Sequence, residues 1–375
     1  MRIAVIHHTG VLDNDYGFYI SDLLSEYAEW LGYDVQLLND FLSLNKSSLP
    51  ENAVIGIDIK AKSGFGLRWW YNTKLPSILK KIKADVVINL NGICSTSVTL
   101  PQILAIPDIT FLEDATKAKA AWQKLVIKNI KAYCSTASSV FTYSTHAAGV
   151  IEKITTGRKG SIHVVPYTAG KQYVEWGWHD KTLTKAEFAD NKEFFICRQD
   201  DKNEESWFTI LRAFSKFKKW QQSSMKLFLI PKHGIVPLNV ADRLTSYKYR
   251  DDVRLLDDVS EKDESSLTGS AYALIHLPGN DADLLPIAEA LQCGLPFITA
   301  PTGSLKEYAA DTGLYIPGTG HEELGDAIID VYKNEDKRTQ VIESIRTKAI
   351  EFNRDAVARS LWEITENAVK AGPPA

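Results

Sequence analysis

Two acidic residues eight positions apart, Asp281 and Glu289, flank a proline in the stretch AYALIHLPGNDADLLPIAEALQCGLPFITAPTGSLKEYA over 271–309. Carboxylates placed this way can grip the hydroxyls of a sugar or a ribose. The segment after Pro286 reads as a helix, and a helix start offers free N–H groups and the positive end of a dipole, which favour an anion, most often a phosphate. Particular elements must hold these groups. Ala271–Leu277 is an apolar run of the buried parallel-strand kind, and Pro278-Gly279-Asn280-Asp281 is a turn. Proline suits the first helical position because its missing N–H would have no partner there. Ile287, Ala288, Ala290 and Leu291 supply the apolar side of that helix, Gly294 ends it, and Pro296–Thr299 begins another short strand. The same residues also fit an ordinary βαβ corner with a solvated Asp and a surface Glu.

This stretch resembles the E-x7-E signature of the retaining, nucleotide-sugar-dependent glycosyltransferases of family four (glycosyl transferases group 1), which have the GT-B fold. Glu289 stands at the second glutamate and Asp281 at the first, and Ala282-Asp283-Leu284 replaces the usual Gly-Phe-Gly. Gly303-Ser304-Leu305-Lys306-Glu307 is similar to the family's Gly-Gly-x-x-Glu, with Ser304 for the second glycine. The resemblance implies an α/β protein of two Rossmann-like, doubly wound parallel-sheet domains facing a cleft. It implies a nucleotide diphosphate sugar as donor, held mainly by the second domain, and a glycan or lipid-linked acceptor, with no cofactor and no metal. Arg198 and Lys202, just after the strand Phe194–Cys197, match the Arg and Lys that neutralise the donor diphosphate in the family. Fixed cations there stabilise the charge of the departing nucleoside diphosphate. By the same resemblance Glu289 holds the ribose, Asp281 a sugar hydroxyl, and the backbone at Leu284 and Leu285 the diphosphate, while Gly17 belongs to the first loop facing the donor.

The family's His-Asp after the strand Ile103–Ile106 is here Pro107-Asp108, so catalytic roles are expected of Asp108 and Asp281. These departures motivate a second reading, a GT-B-like binding or scaffold protein without transfer activity. A third is a sugar-nucleotide epimerase of the same fold.

The chain has 375 residues, long for one core, and a formal net charge of −4. No run of eighteen apolar residues is present, and MRIAVIHHTG turns polar too early for a signal peptide. Cys94, Cys134, Cys197 and Cys293 are scattered without metal-ligand spacing. A cytoplasmic protein is expected. Residues 60–160 hold fifteen Lys/Arg against five Asp/Glu. The lysine-rich helix read over 115–133, with Trp122, Leu125, Val126 and Ile130 on its apolar side, fits either a helix resting on anionic lipid at the cytoplasmic face or a solvated helix packed by one side.

Strands and helices alternate through two halves, which implies parallel sheets with helices on both faces. The first domain is read as 1–168, a linker region as 169–190, the second domain as 191–353, and the helix 354–371 as returning to the first. At the end of the first strand, His7 and His8 are either active-site groups or structural. Gly64–Tyr71, with Trp69 and Trp70, reads either as a loop stacking an acceptor or as core filling.

Overall fold

A computed structural model of the chain describes residues 1–7, 15–39, 53–57, 59, 63–156, 162–199, 203–232 and 234–373. Chain contacts divide it into two compact units, Met1–Tyr167 with Asp355–Ala375, and Thr168–Arg354.

The N-terminal unit is built on β1 (Arg2–His7), β2 (Asp34–Asn39), β3 (Val54–Gly56), β4 (Val86–Asn89), β5 (Gln102–Ala105), β6 (Ser139–Thr142) and β7 (Ile162–Val164). All pairings are parallel, in the order β3-β2-β1-β4-β5-β6-β7. Strands covered on both faces are mostly apolar, and β4, β5 and β6 are buried at every residue, with Asn89, Gln102, Ser139 and Thr142 as polar members at their ends. Its helices are α1 (Asp15–Leu31), α2 (Gly64–Ile82), the short α3 (Thr110–Glu113), α4 (Ala121–Thr136) and α5 (Thr145–Ile154).

Of the two readings of Gly64–Tyr71, the stacking loop does not form: these residues are the first two turns of α2. Ser63 caps it by accepting from the Gly66 N–H at 3.1 Å. Leu67, Trp70, Tyr71, Leu75 and Leu79 recur at helical spacing on the buried side, and their packing outweighs the two glycines and the internal Pro76. In α4, Trp122, Val126, Ile130 and Tyr133 are buried, while Lys124, Lys128 and Lys131 are exposed.

The C-terminal unit repeats the plan. Its strands are β8 (Phe194–Gln199), β9 (Lys226–Pro231), β10 (Val253–Leu255), β11 (Ala273–His276), β12 (Phe297–Thr299) and β13 (Leu314–Tyr315), parallel in the order β10-β9-β8-β11-β12-β13. The helices are α6 (Trp178–Phe188), α7 (Glu204–Trp220), α8 (Leu238–Thr245), α9 (Glu261–Ser270), α10 (Leu285–Gln292), α11 (Gly303–Ala309), α12 (His321–Lys333) and α13 (Glu335–Ala349). Trp207, Ile210, Leu211, Phe214 and Phe217 of α7 pack on Phe195 and Cys197 of β8 and on Leu324, Ile328 and Val331 of α12, forming the core of one sheet face. Residues 169–190, read as a linker region, fall in this unit and include α6.

The last helix, α14 (Arg354–Ala371), belongs to the N-terminal unit. Trp362 meets Tyr33 with ring centroids 5.0 Å apart, and Tyr33 donates to Glu366 at 2.8 Å. Among the described residues no helix is long and apolar enough to cross a membrane.

Candidate functional site

In both sheets the chain runs outward in opposite directions from a central pair of strands, β1 and β4 in one, β8 and β11 in the other. Open α/β sheets bind ligands beyond the carboxyl ends of the strands at this reversal. In the C-terminal unit that place carries a cluster of charged side chains.

Arg198, next to last in β8, is held by two carboxylates. Its Nε lies 2.6 Å from Glu264 Oε1 on α9, and its Nη1 donates to Glu289 Oε2 on α10. The three side chains are 12%, 17% and 5% exposed in that order. Charges this far from water persist only when paired. Tyr173 is buried against the same cluster. Burial pushes its hydroxyl pKa well above the usual tyrosine range, and the negative charges of Glu289 and Glu264 push it further.

The loop from β11 to α10 is pinned from two sides. Asp281 accepts from the Ser304 N–H at 3.0 Å and from the Ser304 hydroxyl, which ties the loop to the first turn of α11. Thr302 caps that helix by accepting from the Leu305 N–H at 3.2 Å. Asp283 sits 3.1 Å from Lys232 Nζ through Oδ1, and its Oδ2 accepts from the Gly279 N–H at 3.1 Å. Its carbonyl lies 2.9 Å from His276 Nε2. Burial alone would raise the Asp283 pKa. The charge of Lys232 and then of His276, with the Gly279 N–H, outweighs it and holds the carboxyl well below the usual carboxylate range.

Ala282, Asp283 and Leu284, standing where the resembled family has Gly-Phe-Gly, are not among the positive-φ residues, so this loop does not depend on a glycine's conformational freedom. Leu284 is the N-cap of α10 with φ −107°, and its own N–H is bonded to the Ala282 carbonyl at 2.9 Å. Its backbone donor is therefore committed to the turn, and Leu285 next to it holds the first helical position.

The candidates of the N-terminal unit stand at the ends of β1 and β5 and on α1 and α2. His7 ends β1 and is fully buried. Asp108 follows β5 and accepts from the Thr110 N–H at 2.9 Å, closing the turn that opens α3. Gly17 lies within the first turn of α1 rather than in a loop, and its carbonyl accepts from the Ser21 hydroxyl at 2.8 Å. Trp69 is 50% exposed, with Lys74 Nζ 5.7 Å from its ring centroid. Trp70, expected beside it on the acceptor side, is only 5% exposed and packs edge-on against Tyr71 at 5.4 Å, which makes it core. Lys202 and His8 lie outside the described residues.

Sequence reasoning missed Glu264, Lys232 and Tyr173. The signal for Glu264 was its place in EKDESSLTGS just before a buried strand, where one face of a helix must turn inward. Lys232 directly follows β9, the strand next to β8, so it too stands at the ligand edge.

Residues 180–348 match the model of the family described as glycosyl transferases group 1. No curated protein matches the chain in sequence. Among solved structures, the chain is similar to WaaG, a glycosyltransferase involved in lipopolysaccharide biosynthesis, at 14% identity and a TM-score of 0.75, covering 96% of this chain and 99% of that one. HepE from Anabaena, in complex with UDP and glucose, superposes at 13% identity and a TM-score of 0.75, with 97% and 99% covered. Sucrose-phosphate synthase from Thermosynechococcus elongatus does so at 14% identity and a TM-score of 0.75, with 99% and 100% covered. The chain thus has the GT-B fold, and residues 180–348, most of its C-terminal unit, match the glycosyl transferases group 1 model.

Proposed function

We propose that the protein is a retaining glycosyltransferase that moves a sugar, a hexose in the first instance, from a nucleotide diphosphate sugar to a glycan or lipid-linked acceptor. One observation carries this reading. Arg198 and Glu289, far apart in sequence, meet at the strand reversal of the domain that matches the family model. In this reading Glu289 holds the ribose, Arg198 and Lys202 take the diphosphate, and the N–H groups at the start of α10 assist. The two cations stabilise the negative charge of the departing nucleoside diphosphate in place of a divalent ion. The leaving phosphate accepts the acceptor's proton, so no separate protein base is required. HepE, of the same fold, was crystallised with UDP and glucose, which supports a nucleotide sugar as the donor. Asp108 and His7 are assigned to the chemistry and to the acceptor side.

A peripheral site on the cytoplasmic face of a membrane fits the N-terminal unit. Phe65 and Trp69 are 82% and 50% exposed at the start of α2, and α4, which packs against it, carries the exposed Lys124, Lys128 and Lys131. The two helices touch closely, since a Cβ on Gly64 would lie 3.4 Å from the Ala121 carbonyl. Aromatics beside lysines are the composition that binds an anionic lipid surface.

The second reading, binding without turnover, is favoured by one specific feature. Asp281 is already engaged by Ser304, so its carboxylate has to part from that bond to reach a sugar hydroxyl. The experiment that separates the two is incubation with UDP-, GDP- and ADP-sugars and candidate acceptors, following nucleoside diphosphate release and the anomeric configuration of the product by NMR. Release with retained configuration supports transfer. Tight binding of a nucleotide sugar without release in any acceptor mixture makes the binding protein the better account.

A further inference from the structure

We propose that Glu264 tunes the donor site: its carboxylate lies against the Arg198 guanidinium and limits the positive charge that a bound diphosphate meets. This rests on the reading of the C-terminal unit as a nucleotide-sugar site.

Glu264 stands out on its own helix. The other polar side chains along the buried length of α9 are small, and several close on the helix itself. Ser265 and Ser266 donate to the Lys262 carbonyl at 2.8 and 2.9 Å, and Thr268 donates to the Glu264 carbonyl at 2.8 Å. Glu264 instead reaches across to β8 and meets Arg198 at Nε. A guanidinium is a planar fork of five N–H donors. Nη1 donates to Glu289, while Nε lies 2.6 Å from Glu264 Oε1 as a close charge contact rather than a directed hydrogen bond, so Glu264 acts on the guanidinium through its charge.

The charges are unbalanced. One guanidinium faces two carboxylates, so the trio carries a formal charge of −1 in a largely buried place. A nucleoside diphosphate brings further negative charge to the same edge. Glu289 alone would neutralise Arg198, and Glu264 takes the cluster past neutrality. The second carboxylate thus weakens the grip on the diphosphate, which favours departure of the product nucleotide, a step that often limits turnover. Tyr173 is buried within the field of both carboxylates.

The test is a calorimetric titration of the full chain with UDP, GDP and ADP and with the matching uncharged nucleosides, comparing wild type with Glu264→Gln. Glutamine keeps the size and shape of the side chain and removes the charge. The expected result is diphosphate binding tightened ~3- to 10-fold, as loss of one nearby like charge at intermediate dielectric allows, with nucleoside binding unchanged. A residue that merely supports the fold would weaken both ligands together. Glu264→Ser carries the same expectation should the glutamine variant fail to fold. Unchanged or weaker diphosphate binding, or equal tightening of the nucleoside, overturns the proposal while leaving the donor-site reading intact if Arg198→Ala and Glu289→Ala still weaken binding. If wild type binds no nucleotide, the donor-site reading falls, and the role of Glu264 falls with it.

Discussion

Lys232 Nζ lies 3.1 Å from Asp283 Oδ1, and the pair joins the end of β9 to the loop that leads into α10. Both side chains are largely buried, at 13% and 7% exposure. Removing one partner of such a pair leaves the other charge uncompensated, so Lys232→Met is expected to cost about 3–5 kcal/mol. Chemical denaturation measures this directly.

The same pair sets a pH dependence. Lys232, His276 and the Gly279 N–H depress the folded-state pKa of Asp283 below its unfolded value, against the effect of burial. A depressed carboxylate contributes stability that is fully present above the unfolded pKa, about 4, and is lost as pH falls from there through the folded value. The stability difference between wild type and Asp283→Asn is therefore expected to be constant from pH 5 to 7 and to shrink below about pH 4. Denaturation curves over that range read it. A gap that stays constant at low pH contradicts the assignment.

Asp281 and Ser304 define a second coupled pair. Asp281→Ala removes the acceptor of both a backbone N–H and a hydroxyl, at an expected cost of about 1–3 kcal/mol, while Ser304→Ala removes only the hydroxyl bond and costs less. The double variant is expected to fall short of the sum, because residues sharing a bond are not additive. A double-mutant cycle on the folded protein reports the coupling. Asp281→Asn in a transfer assay then separates a structural role from one at the sugar.

How far the sequence revealed this arrangement depends on the physics of each element. Strands such as β4 and β11 are legible because covering both faces of a parallel sheet favours apolar runs such as Val86–Ile88 and Ala273–Ile275. The helix at Gly64–Tyr71 was hidden by its two glycines, which argue locally for a loop, and the packing of Leu67, Trp70 and Tyr71 decides otherwise. Helix α9 was found, but its buried face of Ser265, Ser266, Thr268 and Ser270 gives no apolar stripe, so the inward turn of Glu264 had no periodic mark. Glu289 was legible because it stands at a known spacing from Asp281 beside a proline. Its meeting with Arg198 joins residues 91 apart in the chain, and only the sheet topology brings them together.

The two adjacent tryptophans of α2 are expected to behave in opposite ways. Trp70→Ala empties a core position and is expected to destabilise by about 3–5 kcal/mol. Trp69→Ala, at an exposed position, is expected to stay within about 0.5 kcal/mol. The membrane reading adds a second contrast. Phe65→Ala with Trp69→Ala is expected to reduce co-sedimentation with vesicles containing phosphatidylglycerol, with no effect on vesicles of phosphatidylcholine alone. Equal sedimentation of wild type and the double variant with anionic vesicles contradicts it.

The central claim is that a nucleotide sugar is held in the C-terminal unit by Arg198 and Glu289. Its most direct test is isothermal titration of UDP-, GDP- and ADP-sugars into wild type, Arg198→Ala and Glu289→Ala, each first shown to be folded. The account predicts that one nucleotide series binds wild type and that both variants bind it at least ~10-fold more weakly, the loss of about 1.4 kcal/mol or more. Binding of that series with undiminished affinity by both folded variants contradicts it.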